Sequence, residues 1–158
     1  MVLLGGVLWV AQGYRLLLYA RGQMLEAWME LREALLARRE IIPYIVAAVP
    51  TSVAPVLDVL GNACDLAANV EGVPECSQAE ARLSAAISRV FAQLDTDAPA
   101  GALEMLSSLR ERVKVQEMRI ELLKGLYNRQ VELFNTLQHR GVGRMLVSVG
   151  VFKPSEFF

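Results

Sequence analysis

Few side chains in this sequence could do chemistry. His139 is the only histidine. A lone histidine close to a predicted helix C-terminus reads as a favourable dipole contact, not as a base or ligand. A metal site needs several convergent ligands, and a di-iron helical bundle would carry two Glu-x-x-His pairs. Neither pattern occurs. Cys64 and Cys76 have eleven residues between them and read as two small thiols, because intracellular disulfides are rare. A bridge between two helix ends is the alternative. No G-x-S-x-G, P-loop or dinucleotide fingerprint is present. Glu30, Glu33, Glu111, Glu117, Glu121 and Glu132 are scattered and read as solvated helix surface. The expectation is a protein with no enzymatic activity, catalytic residue, metal or cofactor.

Two clusters have more structure. Residues 28–46 read W-x-x-L-x-x-x-L-x-x-R-R-x-I-I-P-Y-I-V. Trp28, Leu31, Leu35 and Ile42 recur at helical spacing and face a core. Arg38 shares the seven-residue row of Leu31 and Ile45, so it must sit at a bundle edge or pair with a carboxylate. Unpaired burial would cost several kcal/mol. Glu117 and Glu121 are the expected partners. Residues 127–135 read Y-N-x-x-V-x-x-F-N. Tyr127, Val131 and Phe134 share one helix face. Asn128 and Asn135 lie seven apart beside it, although Asn competes poorly in helix interiors. Their expected task is hydrogen bonding to a loop or to the C-terminal tail; a polar binding groove is the alternative. For all these positions a structural role is the leading expectation.

The elements that must position these residues are helices. Leu106, Val113, Ile120, Tyr127 and Phe134 repeat every seven residues, with Leu103, Leu109, Leu123 and Leu137 between them. This predicts one long amphipathic helix over 103–137 that needs partners. Gln116 and Gln130 on its leucine row would fix register. Trp28, Leu35, Ile42 and Val49 make its expected partner row. Pro43 predicts a kink, with the helix resuming after it. A further helix is expected over 53–68, then a loop over 70–75. Ser77 and Glu80 form a capping box (S-x-x-E) that would open the next helix. That helix carries Leu83, Ile87, Val90 and Leu94 and ends near Asp95, leaving Asp97 to cap the long helix. Residues 142–151 form a short apolar piece, and the tail's Phe residues are expected to dock on the bundle.

Residues 1–11 are uncharged and apolar, and a second apolar run follows Arg15. A helix rises about 1.5 Å per residue against a hydrocarbon core about 30 Å thick, so eleven residues are too few and twenty suffice. Arg15 would then snorkel, with Trp9, Tyr14 and Tyr19 as interfacial anchors. The expectation is a short or N-terminally truncated membrane anchor over 1–20. A helix lying in the interface and the buried start of a core helix are the other readings. Arg15, Arg21, Arg32, Arg38 and Arg39 follow the run and place the body on the cytoplasmic side of the inner membrane. Lys+Arg (16) and Asp+Glu (17) nearly cancel, so no overall field attracts nucleic acid. The expected partners are the lipid bilayer through the N-terminus, a protein the sequence does not identify, and a second copy in a homo-oligomer.

The two clusters also carry a likeness. The chain resembles the LemA family of bacterial membrane proteins. Tyr14, Leu17, Trp28, Leu35, Arg38, Ile41, Ile42, Pro43, Ile45 and Val46 match its N-terminal pattern. Arg119, Ile120, Tyr127, Asn128, Val131, Phe134, Asn135, Phe152, Phe157 and Phe158 match its C-terminal one. The chain departs from the pattern at Arg32, at Tyr44, at Arg140-Gly141 and in the Pro-, Gly- and Ala-rich segment 50–75. The resemblance implies an N-terminal single-pass anchor continuous with helix 1, an elongated antiparallel four-helix bundle over 21–158, and no established enzyme activity.

Overall fold

The seven-residue row of residues 106–134 becomes one helix of the predicted length in a computed structural model, which describes residues 2–49, 54–97, 103–148, 150 and 152–158. Its described residues form six helices and no strand: α1 (Val2–Arg39), α2 (Ile42–Ala48), α3 (Ala54–Ala68), α4 (Val73–Asp97), α5 (Leu103–Gln138) and α6 (Val142–Ser148). Leu106, Val113, Ile120, Tyr127 and Phe134 are all at most 6% exposed, so the apolar row of α5 is its buried face.

Pro43 does more than kink its helix. Glu40 and Ile41 form a turn, and α2 starts afresh with Pro43 in its first turn. There its missing N–H is one the helix would leave unpaired anyway. The end of α1 tightens, with Ile41 N–H donating to Arg38 O at 3.2 Å. The capping box also fails. Helix α4 opens at Val73, with Glu75 in its first turn. Pro74 and an acid in the opening turn suit a helix N-terminus on steric and dipole grounds. Ser77 and Glu80 are therefore interior, and Glu80 is buried. Asp97 is the last residue of α4, and the segment 98–102 that was to place it as a cap lies outside the described residues.

The chain divides into two compact units, one comprising Met1–Leu31 and Leu122–Phe157, the other Arg32–Glu121 with Phe158. In the first unit, Leu17, Ala20, Met24 and Leu31 of α1, Leu123, Tyr127, Val131 and Phe134 of α5, Val142 and Phe152 are buried. Gly13 is required for a close approach: a Cβ there would lie 2.8 Å from Val142 Cβ. Gly141 (φ +50°) turns the chain between α5 and α6. Glycine adopts that backbone more readily than any other residue.

The second unit has its own core of Ile41, Ile42, Ile45, Leu60, Leu83, Ile87, Val90, Phe91, Leu94, Leu106, Leu109 and Val113, with small Ala63, Ala67, Ala79 and Ala86 between α3 and α4. These alanines let the two helices of the hairpin approach closely. The short Asn69–Gly72 connection makes α3 and α4 neighbours.

Among the described residues, no helix is long and apolar enough to cross a membrane. Leu17 and Ala20 are buried against protein, and Arg15 interrupts the run.

Candidate functional site

Two polar arrangements are built into these units. The first lies in the second unit, at the C-terminal end of α1. That end presents Arg38 and Arg39 in its last turn, where helix carbonyls favour cations. Both guanidinium groups converge on one carboxylate, Glu80 of α4. Arg38 Nη2 pairs with Glu80 Oε2 and Arg39 Nη2 with Glu80 Oε1. Arg38 Nη1 also donates to Ser84 Oγ, and Nη2 to Glu80 O at 3.3 Å. Arg39 Nη2 donates to Ala67 O at 2.7 Å, tying in the last turn of α3. The side chains of Arg38 and Glu80 are 2% and 4% exposed, so the pair is shut off from solvent.

Sequence reasoning chose Glu117 or Glu121 as the partner of Arg38. Glu117 is a second, looser partner at 3.5 Å and is 38% exposed. Glu80 was missed because it had been given to a cap. The signal lay one turn upstream, in Pro74-Glu75, which starts the helix before Ser77. In this cluster two guanidinium groups share one buried carboxylate and that of Arg38 reaches a second, half-exposed one, with partners drawn from four helices, α1, α3, α4 and α5.

The second arrangement lies in the first unit, along one stripe of α5. Tyr127, Asn135 and Gln138 point at the tail residues 152–157, which carry no regular secondary structure. Gln138 Nε2 donates to Lys153 O at 2.9 Å. Asn135 makes two bonds to Ser155: its Nδ2 donates to Ser155 O and its Oδ1 accepts from Ser155 N–H, both at 2.9 Å. Tyr127 O–H donates to Glu156 O at 3.0 Å. Burial, and secondarily the Glu156 carboxylate, pushes the Tyr127 phenol above its ordinary value. Phe152 is 5% exposed, its ring centroid 5.9 Å from Tyr14 and 6.2 Å from Phe134. Trp28 closes the other end of this aromatic seam, 5.4 Å from Tyr127.

Of the family-motif residues, Trp28, Tyr127, Val131, Phe134 and Asn135 thus meet in one unit, and Arg38 and Pro43 belong to the other. Asn128 is half-buried on α5 in the first unit. Tail docking holds for Phe152, but Phe157 is 53% exposed and does not dock on its ring. Tyr44 belongs to the second unit, and Asn128 and Asn135 to the first.

The remaining candidates are quiet. Exposed His139 follows the end of α5. Among the described residues no group of three His, Cys, Asp or Glu side chains could hold a metal ion. Cys64 and Cys76 are free thiols, and burial raises the pKa of both. In the second unit, a groove of about 900 Å³ is lined by Glu40, Pro43, Tyr44, Glu111, Arg112 and Gln116, among others. The Arg112 guanidinium lies over the Tyr44 ring at 5.5 Å, a cation–π contact.

An all-helical chain whose motif residues clamp its own tail and pair in a buried cluster belongs to the class of helical bundles. The LemA family model matches residues 27–158, and the chain is a member of the LemA family. No curated protein matches it significantly.

Proposed function

We propose that this LemA family member is a membrane-associated helical interaction module without enzymatic activity. The observation that carries this reading is the surface of the first five turns of α1. One face buries Leu17 and Ala20, yet Val7, Leu8, Trp9, Leu16, Leu18 and Tyr19 are each 43–68% exposed. A water-facing helix surface is ordinarily polar, and an apolar patch of this extent marks an interaction surface. Exposed Arg15 beside Trp9, Tyr14 and Tyr19 suits the headgroup level. The finer form of the proposal is an N-terminal anchor that crosses the inner membrane once and leaves the body on the cytoplasmic side. Flotation with anionic vesicles tests the general reading. Trp28→Phe isolates the Trp9 fluorescence, which is expected to shift to the blue on binding. A protein that stays in the aqueous fraction with unshifted emission would sink it. A C-terminal reporter scored on both sides of the membrane tests the orientation.

A second reading, a bundle that senses a ligand or peptide, draws support from the open groove at Tyr44. Gln116, which lines it, has a buried Oε1 without a hydrogen-bond partner. Thermal-shift screening against wild type and Gln116→Leu separates ligand binding there from no binding at all.

A further inference from the structure

Much of the grip on the C-terminal tail is on its backbone. All four hydrogen bonds from Tyr127, Asn135 and Gln138 go to main-chain atoms of Lys153, Ser155 and Glu156. Asn135 donates to and accepts from the same residue, as a neighbouring strand would. The one deeply buried tail side chain is Phe152, seated against Tyr14 and Phe134. Pro154 fixes its own φ and biases Lys153 towards an extended backbone, so the tail loses little conformational freedom on docking. The receptor is thus a stripe of α1 and α5. The ligand is the segment 152–157, which has no regular secondary structure and one aromatic anchor. Recognition of this kind resembles peptide binding more than core packing. No part of it requires both sides to belong to one chain. The tail connects to α6 through Gly150, whose φ of +76° is open to glycine and strained for other residues.

We infer that this seam takes the C-terminal tail of a second copy of the chain in exchange for its own, giving a reciprocally swapped dimer. The on-page argument for that occupant is identity: the segment already seated is the one a second copy would offer. Both tails regain every hydrogen bond and the Phe152 contact after exchange. What separates closed monomer from swapped dimer is the entropy of association, set against concentration. A short tether gives the chain's own tail an effective concentration on the order of mM. Exchange therefore grows where copies are crowded. The inference rests on the interaction-module reading in taking a protein partner, but needs no membrane, so its test is run without lipid.

Two full-length variants complement each other. Phe152→Ala/Ser155→Pro keeps the receptor and cripples the tail, because Pro removes the N–H that Asn135 accepts. Asn135→Ala/Gln138→Ala keeps the tail and cripples the receptor. Mixed at about 100 µM, the two are expected to form a 1:1 heterodimer by light scattering, at least tenfold above the homodimer of either alone, and adding Phe152→Ala to the second variant should abolish it. Two folded variants that never associate, or association indifferent to that addition, would overturn the inference. If a variant fails to fold, wild type decides the matter by analytical ultracentrifugation with labelled peptide FKPSEFF present. A concentration-dependent dimer that the peptide dissociates supports exchange. A monomer at all concentrations, or a dimer the peptide leaves intact, refutes it.

Discussion

Replacing Glu80 is the sharpest perturbation available, because its one carboxylate pairs with two guanidinium groups. Glu80→Ala leaves Arg38, 2% exposed, with Ser84 Oγ, one backbone carbonyl at 3.3 Å and the half-exposed Glu117 at 3.5 Å. Arg39 keeps Ala67 O at 2.7 Å. Leaving a buried charge without its partner costs about 3–5 kcal/mol, a large share of the ~5–15 kcal/mol of a typical domain. For a chain of this size each kcal/mol moves Tm by ~2–4 °C, so a fall of roughly 6–20 °C is expected. Glu80→Gln should be nearly as damaging, since its amide turns a donor towards Arg38 or Arg39. The assay is urea unfolding followed by helical circular dichroism, with slopes compared to separate stability from compactness. Glu111→Ala, on an exposed site, is the control and should stay within about 0.5 kcal/mol. A double Arg38→Met/Glu80→Met change should recover at least half the loss, because apolar replacement of a buried pair is often neutral. If Glu80→Ala falls within about 1 kcal/mol of wild type at unchanged slope, the cluster is not the clamp its geometry describes, since ordinary buried pairs cost more to break.

The other expectations follow from the first unit. Asn135→Ala removes two bonds to Ser155 and should cost about 1–3 kcal/mol, with amide exchange of Ser155 and Glu156 accelerating before that of α5. Tyr127 binds its proton more tightly folded than unfolded, so its stabilising contribution is complete below the ordinary phenol value and is lost as pH rises through the raised one. The wild-type-minus-Tyr127→Phe difference in unfolding free energy should therefore be flat below about pH 10 and fall above it; a flat difference throughout would contradict the burial of the phenol. Gly13→Leu drives a side chain into Val142 and should destabilise by about 1–3 kcal/mol, whereas Gly22→Leu, with open space at its Cβ, should not. Thermal melts of the two variants decide this.

Much of the fold was legible because helical periodicity is local. The α5 row, the span of α3 and the docking of Phe152 all follow from where apolar residues recur. Two features were misread, each because a local signal has more than one physical outcome. Pro43 breaks a helix and opens the next, and the spacing around it is compatible with a kink as well. Ser77 and Glu80 match a cap by type and spacing, but Pro74-Glu75 opens the helix a turn sooner. The apolar N-terminal run is a different case: periodicity does not say which of its residues face protein, and the structure buries Leu17 and Ala20 while Val7, Leu8, Trp9, Leu16, Leu18 and Tyr19 stay exposed.

The sequence by itself determined the class of this protein. Its repeats set an all-helical chain, its motif residues marked the tail-facing stripe of α5, and its W-x-x-L and Y-N-x-x-V-x-x-F-N patterns pointed to the LemA family. Only the tertiary structure decided partners. Which carboxylate meets Arg38 depends on the register of α4 against α1, and that register is a long-range quantity: residues 38 and 80 are brought together by the packing of Ala67, Ala79 and Leu83, not by any spacing between them. Likewise, that Asn135 grips Ser155 follows from Gly141 and Gly150 turning the chain back on itself. Periodicity tells each helix which face to bury; the volumes of the facing side chains tell it against whom.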